Sequence, residues 1–108
     1  MTTVRLIKND GNIVGFEVSD HSGYAQSGSD IVCAAVSSAV SFVETVINDS
    51  FKAGADVEVN PDKASVKLRL TKSCERCQGV LEAFERHMRA ISEEYPKYIK
   101  ILEVQSNA

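Results

Sequence analysis

A histidine and a cysteine stand twelve positions apart in the first third of the chain, on either side of a glycine-containing segment. His21 is flanked by loop-forming residues, whereas Cys33 lies inside an apolar stretch with helical spacing. A helix N-terminus stabilises a thiolate, because its unpaired backbone amides and its dipole favour an anion. The thiolate is the nucleophilic form of cysteine, and a histidine within reach can transfer its proton. The pair therefore predicts thiol-dependent catalysis, with Cys33 as nucleophile and His21 as base.

Both residues also have a structural interpretation that the sequence leaves open. A free cysteine among small and branched apolar residues is often simply buried in the core. A single histidine in a loop is often a solvated surface residue. The joint placement of a thiol at a helix start and an imidazole on the adjoining loop adds support to the catalytic interpretation, and both interpretations stay open from the residues alone.

Two polar residues beside Cys33 are predicted to support the site. Asp30 precedes Cys33 by three residues and therefore shares the first helical turn. It either orients a protonated His21 or caps the helix N-terminus. Ser37 follows Cys33 by one turn, where it hydrogen-bonds either near the thiol or back to a helix carbonyl.

The loop before the helix supplies the predicted substrate contacts. Gly23 and Gly28 give its backbone the freedom to fold back over the helix end. Tyr24 is predicted either to line a peptide groove, as aromatic residues often do at peptide contacts, or to anchor the loop on the core. We therefore assign Ser22, Gly23 and Tyr24 to a substrate-binding loop.

Cys74 and Cys77 form a C-x-x-C pair at the start of a second predicted helix. That spacing is typical of a redox pair or of half a zinc site. A structural zinc ion needs four ligands, and the chain has no second pair at this spacing. The simplest interpretation is two helix cysteines, with Cys77 facing the core and Cys74 near its edge. We predict neither a metal site nor an organic cofactor.

The composition is that of an ordinary globular protein. The 108 residues are 44% hydrophobic and 25% charged, with a net charge of −3. This length predicts a single domain over residues 1–108, and the acidic balance argues against direct nucleic-acid binding. No apolar run approaches the roughly 20 residues that span a bilayer, so we expect no membrane partner. The start of the chain lacks a signal-peptide pattern and the cysteine count is odd, which predicts a cytoplasmic protein without a disulfide framework.

Hydrophobic spacing divides the chain into five strands and two helices. The predicted strands are 4–7, 13–18, 57–59, 66–70 and 98–104, and the helices begin at Ser29 or Asp30 and at Ser73. Asp-Gly at residues 10–11 and Asn-Pro-Asp-Lys at residues 60–63 predict the turns of two hairpins. The order ββαββαβ predicts an α+β fold, a two-layer sandwich of two helices on a mainly antiparallel sheet.

Two segments resemble the ribosomal-processing cysteine protease family of bacteria. They are HSGYA at residues 21–25 and GSDIVCAAVS at residues 28–37. The chain length and the order of elements also fit this family. The resemblance implies a cysteine endopeptidase that removes the N-terminal extension of a large-subunit ribosomal protein during ribosome assembly. It also implies a homodimer.

The resemblance places the family's functional residues on matching positions of this chain. Its catalytic pair falls on His21 and Cys33, its aspartate on Asp30 and its serine on Ser37. One position departs from the family, which usually has glycine before the histidine where this chain has Asp20. Aspartate tolerates left-handed backbone angles less well than glycine, and its carboxylate would favour a protonated imidazole.

Two other functions stay open from the residues themselves. The first is a non-enzymatic, ribosome-associated binding module that merely retains a cysteine at a helix start. The second is a thiol redox protein that uses Cys74 and Cys77. A peptide cleavage assay separates the protease from the binding module, and a disulfide between the two cysteines would favour the redox protein.

Overall fold

Five strands and two helices follow one another in the order ββαββαβ, which confirms the predicted fold class. The computed structural model describes residues 1–20 and 30–106. The elements are β1 (Thr2–Asn9), β2 (Asn12–Ser19), α1 (Ile31–Glu44), β3 (Asp56–Asn60), β4 (Ser65–Arg69), α2 (Glu75–Glu94) and β5 (Ile99–Gln105). Both helices pack on one sheet through a shared core, which makes the two predicted layers.

The sheet is mixed, with its strands in the order β3-β4-β2-β1-β5. β1 pairs in parallel with β5, whereas the β1–β2, β2–β4 and β3–β4 pairs are antiparallel. Asp10 and Gly11 turn the chain between β1 and β2 with φ of 51° and 84°. These are the left-handed angles that make Asp-Gly a hairpin turn. The order of strands leaves β3 at one edge of the sheet.

The core lies between the sheet and the two helices. Phe16 of β2 stacks on Phe84 of α2, with ring centroids 4.3 Å apart. Each helix buries one stripe of side chains, which are Val32, Val36, Val40 and Val43 of α1 and Cys77, Leu81, Phe84 and Met88 of α2. Because these residues recur every three or four positions, their burial fixes the rotation of each helix about its axis. The rotation of α1 in turn decides which of its side chains reach solvent.

α1 continues without a break into a π-helical segment, Thr45–Ser50. The combined helix, Ile31–Ser50, is long and apolar enough to cross a membrane by length and composition alone. The expectation from the sequence concerned uninterrupted apolar runs, and serines and Glu44 interrupt the apolar residues of this helix. The valine stripe of this helix lies in the core, and core helices of globular domains commonly meet the same two criteria.

The β3–β4 hairpin turns at Pro61–Lys63, as the Asn-Pro-Asp-Lys sequence predicts. Asn60 Oδ1 accepts hydrogen bonds from the backbone amides of Asp62 and Lys63 at 3.1 and 3.3 Å. Ala64 then takes a left-handed φ of 47° before β4 begins. The hairpin lies beside α1, and the two enclose a cleft.

Candidate active site

Cys33 is the third residue of α1, and the N-terminal cap of that helix contacts it directly. Asp30 is the cap: its backbone is extended, and its Oδ1 accepts a hydrogen bond from the Cys33 amide at 3.0 Å. Asp30 is only 8% exposed, so water competes little for this bond. Of the two roles predicted for Asp30, capping is the one that the structure shows. The alternative contact, with His21, involves a residue outside those that the structure describes.

The side chain of Cys33 is partly exposed, in contrast to its apolar neighbours. Val32 and Val36 are 1% and 2% exposed and lie in the core. Cys33 lines an open cleft of about 460 Å³. The interpretation of Cys33 as a buried core residue is therefore wrong, and the thiol is placed where a ligand in the cleft can approach it.

One face of α1 forms the first wall of this cleft, and the β3–β4 hairpin forms the second. The wall from α1 presents Cys33, Val36, Ser37, Val40, Ser41 and Glu44, and the wall from the strands presents Val57, Val59, Val66 and Leu68. Ser37 thus shares the cleft with Cys33, one helical turn further along, as its spacing predicts. The two walls together make an apolar channel with hydroxyl groups along its helical side.

Two acidic residues, Asp20 and Glu44, line the cleft. The sequence did not lead us to assign either of them to it. Asp20 follows β2 with a left-handed φ of 69°, and its carbonyl oxygen accepts a hydrogen bond from the buried Thr2 hydroxyl at 3.1 Å. Glu44 is the last residue of α1. Helical spacing could have indicated Glu44, because it lies eleven residues after Cys33, close to three full turns of an α-helix.

The predicted loop residues lie outside the described ones. They are His21, Ser22, Gly23 and Tyr24, and their roles stay predictions. Asp20, which directly precedes His21 in the chain, lines the same cleft as Cys33. The position for which the resemblance implies a glycine is thus occupied by an aspartate at a positive φ, the conformation for which glycine is best suited.

The C-x-x-C pair is joined by a disulfide between Cys74 and Cys77, so the prediction of two separate helix cysteines was wrong. Cys74, not Ser73, is the cap of α2, and the amide of Cys77 donates a hydrogen bond to its Sγ at 3.3 Å. The cap side chain and the third helical residue therefore meet here, as they do for Asp30 and Cys33. Cys77 is buried in the core, as predicted.

The disulfide and Cys33 lie at opposite ends of the helical layer. The guanidinium of Arg76, at the start of α2, lies 5.6 Å from the ring centroid of Phe51. Phe51 follows the helical segment Ile31–Ser50, whose first turn contains Cys33, so the two helix starts are far apart. Within residues 1–20 and 30–106, three or more His, Cys, Asp or Glu side chains nowhere converge as a metal site would require.

Solved structures with the same fold include bacterial proteases. An essential ribosomal processing protease Prp of S. aureus, in complex with a covalently linked product peptide, is 23% identical, with a TM-score of 0.90 over 96% of this chain and all of the other. The same protease with a substrate peptide is 22% identical, with a TM-score of 0.85 over 96% of this chain and 100% of that one. A protein of Streptococcus mutans is 22% identical, with a TM-score of 0.85 over 98% of this chain and 96% of that one.

Two comparisons of the sequence bear on the family to which the chain belongs. No curated protein matches the chain significantly. The family model of the cysteine protease Prp, in contrast, matches residues 1–100. The resemblance of the two segments around His21 and Cys33 is therefore confirmed, and the chain belongs to the Prp family of cysteine-type peptidases.

Proposed function

We propose that this peptidase removes the N-terminal extension of a large-subunit ribosomal protein during ribosome assembly in the cytoplasm. The observation that carries the proposal is a partly exposed thiol at the third residue of α1, opening onto an apolar channel. An extended peptide fits between a helix face and an edge hairpin of this kind. Membership of the Prp family supports peptide cleavage, and the S. aureus relative is itself a ribosomal processing protease.

The chemistry assigned to Cys33 and His21 is nucleophilic acyl transfer. His21 accepts the thiol proton, and the Cys33 sulfur attacks the scissile carbonyl of the bound peptide. The C–N bond breaks as His21 returns the proton to the leaving amine, which leaves a thioester on Cys33. Water then adds to the thioester, releases the new carboxylate and restores the thiol.

Asp30 and Ser37 have supporting roles in this proposal. The carboxylate of Asp30 holds the amide of Cys33, so it fixes the position of the nucleophile along the channel wall. Ser37, exposed on the same wall, is within one turn of the thiol and offers a hydroxyl to the bound peptide backbone. The loop residues Ser22, Gly23 and Tyr24 are assigned to substrate binding from the sequence.

The test is incubation with the extension-bearing ribosomal protein, followed by mass measurement of the product. We expect a single cut at the extension, with Cys33→Ala losing about a thousandfold or more of the rate while it keeps its fold. His21→Ala should lose about a hundredfold or more. Cleavage by Cys33→Ala at the wild-type rate would contradict the assignment of the nucleophile. A substrate that already lacks the extension is the matched control.

A homodimer is part of the same proposal. A second groove, of about 790 Å³, runs between α1 and α2 on the outer side of the helices. Phe42 lies in it and is 70% exposed, beside the apolar residues Ala35, Ala39 and Val46 of the same groove, and a contiguous apolar patch is typical of a protein contact. We assign this face to contact with a second copy of the chain, because symmetric association would cover the ring.

The disulfide between Cys74 and Cys77 favours one alternative function that the sequence left open, a thiol redox protein that exchanges disulfides with its partners. Cys74 is partly exposed and lines a third cleft of about 580 Å³, so a dithiol of another protein has access to its sulfur. Exchange would oxidise that dithiol to a disulfide and leave Cys74 and Cys77 as two thiols. The non-enzymatic module, by contrast, has no support in a family of peptidases.

Thiol counting tests the exchange alternative. Denatured, unreduced protein should take one alkyl group, on Cys33, the cysteine that lies outside the disulfide. Prior incubation of the native protein with a dithiol should expose two further thiols within minutes if exchange is functional. If the disulfide persisted for hours in the presence of the dithiol, it would be a structural cross-link and not an exchange centre. Cys74→Ser/Cys77→Ser should retain full peptide cleavage in either case, since the pair is remote from the channel.

A further inference from the structure

We propose that Glu44 selects a basic residue of the substrate peptide, about five residues from the scissile bond. This inference rests on the proposed protease function and deepens it by naming a specificity determinant. It concerns the end of the channel opposite Cys33, which the reaction itself does not use.

The spacing along α1 sets the distance. Glu44 lies eleven residues after Cys33 on the same helix, and eleven residues advance an α-helix by about 16 Å and three turns plus roughly 20°. Both side chains consequently lie on one face, and both line the channel. An extended peptide rises about 3.3 Å per residue. A peptide lying along this wall with its scissile carbonyl at Cys33 therefore brings a side chain to Glu44 about five residues away.

The chemistry of the channel makes that position selective. Val36 and Val40 lie on the helical wall between the two residues, and the opposite wall is mainly apolar, with the uncharged polar residues Asn60 and Ser65 near the hairpin turn. The charged side chains among the described lining residues are Asp20 and Glu44, both acidic, with no lysine or arginine among them. No ion pair joins Glu44 to another residue within the ranges 1–20 and 30–106.

A half-buried carboxylate beside apolar groups favours a cation that can hydrogen-bond to it. A lysine ammonium or an arginine guanidinium supplies both the charge and the donors. A glutamate at the same substrate position would meet Glu44 as a like charge and would be disfavoured. The channel thus combines an apolar stretch next to the scissile bond with a basic preference at its far end.

The experiment is a positional scan of a cleavable peptide. A neutral parent peptide is compared with variants that carry a single lysine or a single glutamate at each position from three to seven residues from the scissile bond, on either side. Wild-type protein should cleave one of the lysine peptides about tenfold faster, in kcat/KM, than its glutamate counterpart. Glu44→Gln should reduce that ratio to about one or two, and Glu44→Lys should invert it.

A matched control separates Glu44 from the general acidity of the chain. Asp49 is exposed, lies five residues after Glu44 and does not line the channel. Asp49→Asn removes the same charge and should keep the full lysine preference. An unchanged ratio in Glu44→Gln, or the absence of any lysine-preferring position in the wild type, would overturn the inference.

Binding provides a readout that does not depend on catalysis. The Cys33→Ala protein should bind the tightest-binding lysine peptide of the scan about fivefold or more tightly than the peptide with glutamate at the same position, and the added Glu44→Gln change should abolish the difference. Equal binding of both peptides to Cys33→Ala would contradict the role of Glu44. If wild-type protein cleaves none of the peptides, the protease proposal fails, and the binding comparison still decides the role of Glu44.

Discussion

At the scale of single residues, the state of each helix cysteine, Cys33 or Cys77, depends on the capping residue three positions before it. Asp30 caps α1 with a carboxylate that accepts a hydrogen bond from the backbone amide of Cys33, and the Cys33 side chain is partly exposed and outside the disulfide. Cys74 caps α2 with a sulfur atom, which is bonded to Cys77. The same cap geometry therefore leaves the cysteine outside any disulfide at one helix start and within a cross-link at the other.

Asp20 supports a prediction about backbone strain at the base of the loop. Its φ of 69° costs an ordinary residue roughly 1 kcal/mol, less for aspartate and nothing for glycine. We expect Asp20→Gly to match or exceed the wild type in free energy of unfolding, and Asp20→Val to lose about 1–2 kcal/mol. Urea denaturation measures both. Equal stability of the valine variant would contradict the strained conformation.

At the scale of elements, the sheet pairings and the helix contacts hold the channel walls in place. β2 pairs with β4, and β4 pairs with the edge strand β3, whose hairpin forms the second wall. α1 is positioned by its valine stripe in the core. The walls therefore come from elements that touch different neighbours, and the channel depends on the packing of the whole sheet.

Gly15 permits the close approach of β2 and β4. A Cβ atom at this position would collide with the backbone carbonyl oxygen of Leu68. Gly15→Ala should therefore lower the free energy of unfolding by about 1–3 kcal/mol. The matched control is Gly79→Ala in α2, where a Cβ meets no atom within 4 Å, and a gain of about 0.5–1 kcal/mol is expected. Chemical denaturation of both variants checks the contrast.

An ion network joins β1, α2 and β5. Lys8 Nζ lies 3.3 Å from Glu85 Oε1 and 2.8 Å from Glu103 Oε1, and Arg89 Nε donates a hydrogen bond to Glu85 Oε2 at 2.8 Å. Burial acts to raise the pKa of Glu85, but the hydrogen bonds from Arg89 and Lys8 outweigh it and hold the pKa below its ordinary value of 4.5. A carboxyl of this kind stabilises the fold above its unfolded pKa and loses that contribution as the pH falls through its folded pKa.

Glu85→Gln tests this network. We expect it to lower the free energy of unfolding at pH 7 by about 1 kcal/mol, with the difference from wild type shrinking as the pH falls below about 4.5. Thermal or urea denaturation across pH 3 to 7 measures the effect. Glu82→Gln, at an exposed position of the same helix, should stay within about 0.5 kcal/mol throughout. If the difference in free energy of unfolding between Glu85→Gln and wild type did not change with pH, the charge of the Glu85 carboxylate would not be what stabilises the fold.

At the scale of the whole molecule, the two long grooves lie on different sides of α1. The channel with Cys33 faces the β3–β4 hairpin, whereas the groove with Phe42 faces α2. One helix can thus serve catalysis on one side and association on the other. A homodimer built through the second groove would leave both channels open to peptide.

Phe42→Glu tests the dimer. Placing a charge in the groove should raise the dimer dissociation constant about a hundredfold or more, since a central aromatic anchor commonly contributes that much. Sedimentation equilibrium measures the change, and Val104→Glu, at an exposed apolar residue of β5, controls for surface charge. A wild-type protein that stays monomeric at high concentration would rule the dimer out.

Local signals determined much of this protein from the sequence alone. The Asp-Gly and Asn-Pro-Asp-Lys turns, the start of α1 at Asp30 and the element order depend on neighbouring residues, so they could be predicted. The same holds for the two segments that place the chain in its family, because a motif is a local pattern.

Only the tertiary structure decided what depends on residues far apart in sequence. The channel exists because the β3–β4 hairpin packs beside α1, and Glu44 belongs to it because the buried valines set the rotation of that helix. The exposure of Phe42 follows from the same rotation. Cys74 lies close enough to bond to Cys77 because it is the cap of α2, one residue later than the predicted cap Ser73. Spacing along the chain supplies faces and turns, whereas the distances that make a site come from the packing of those faces against one another.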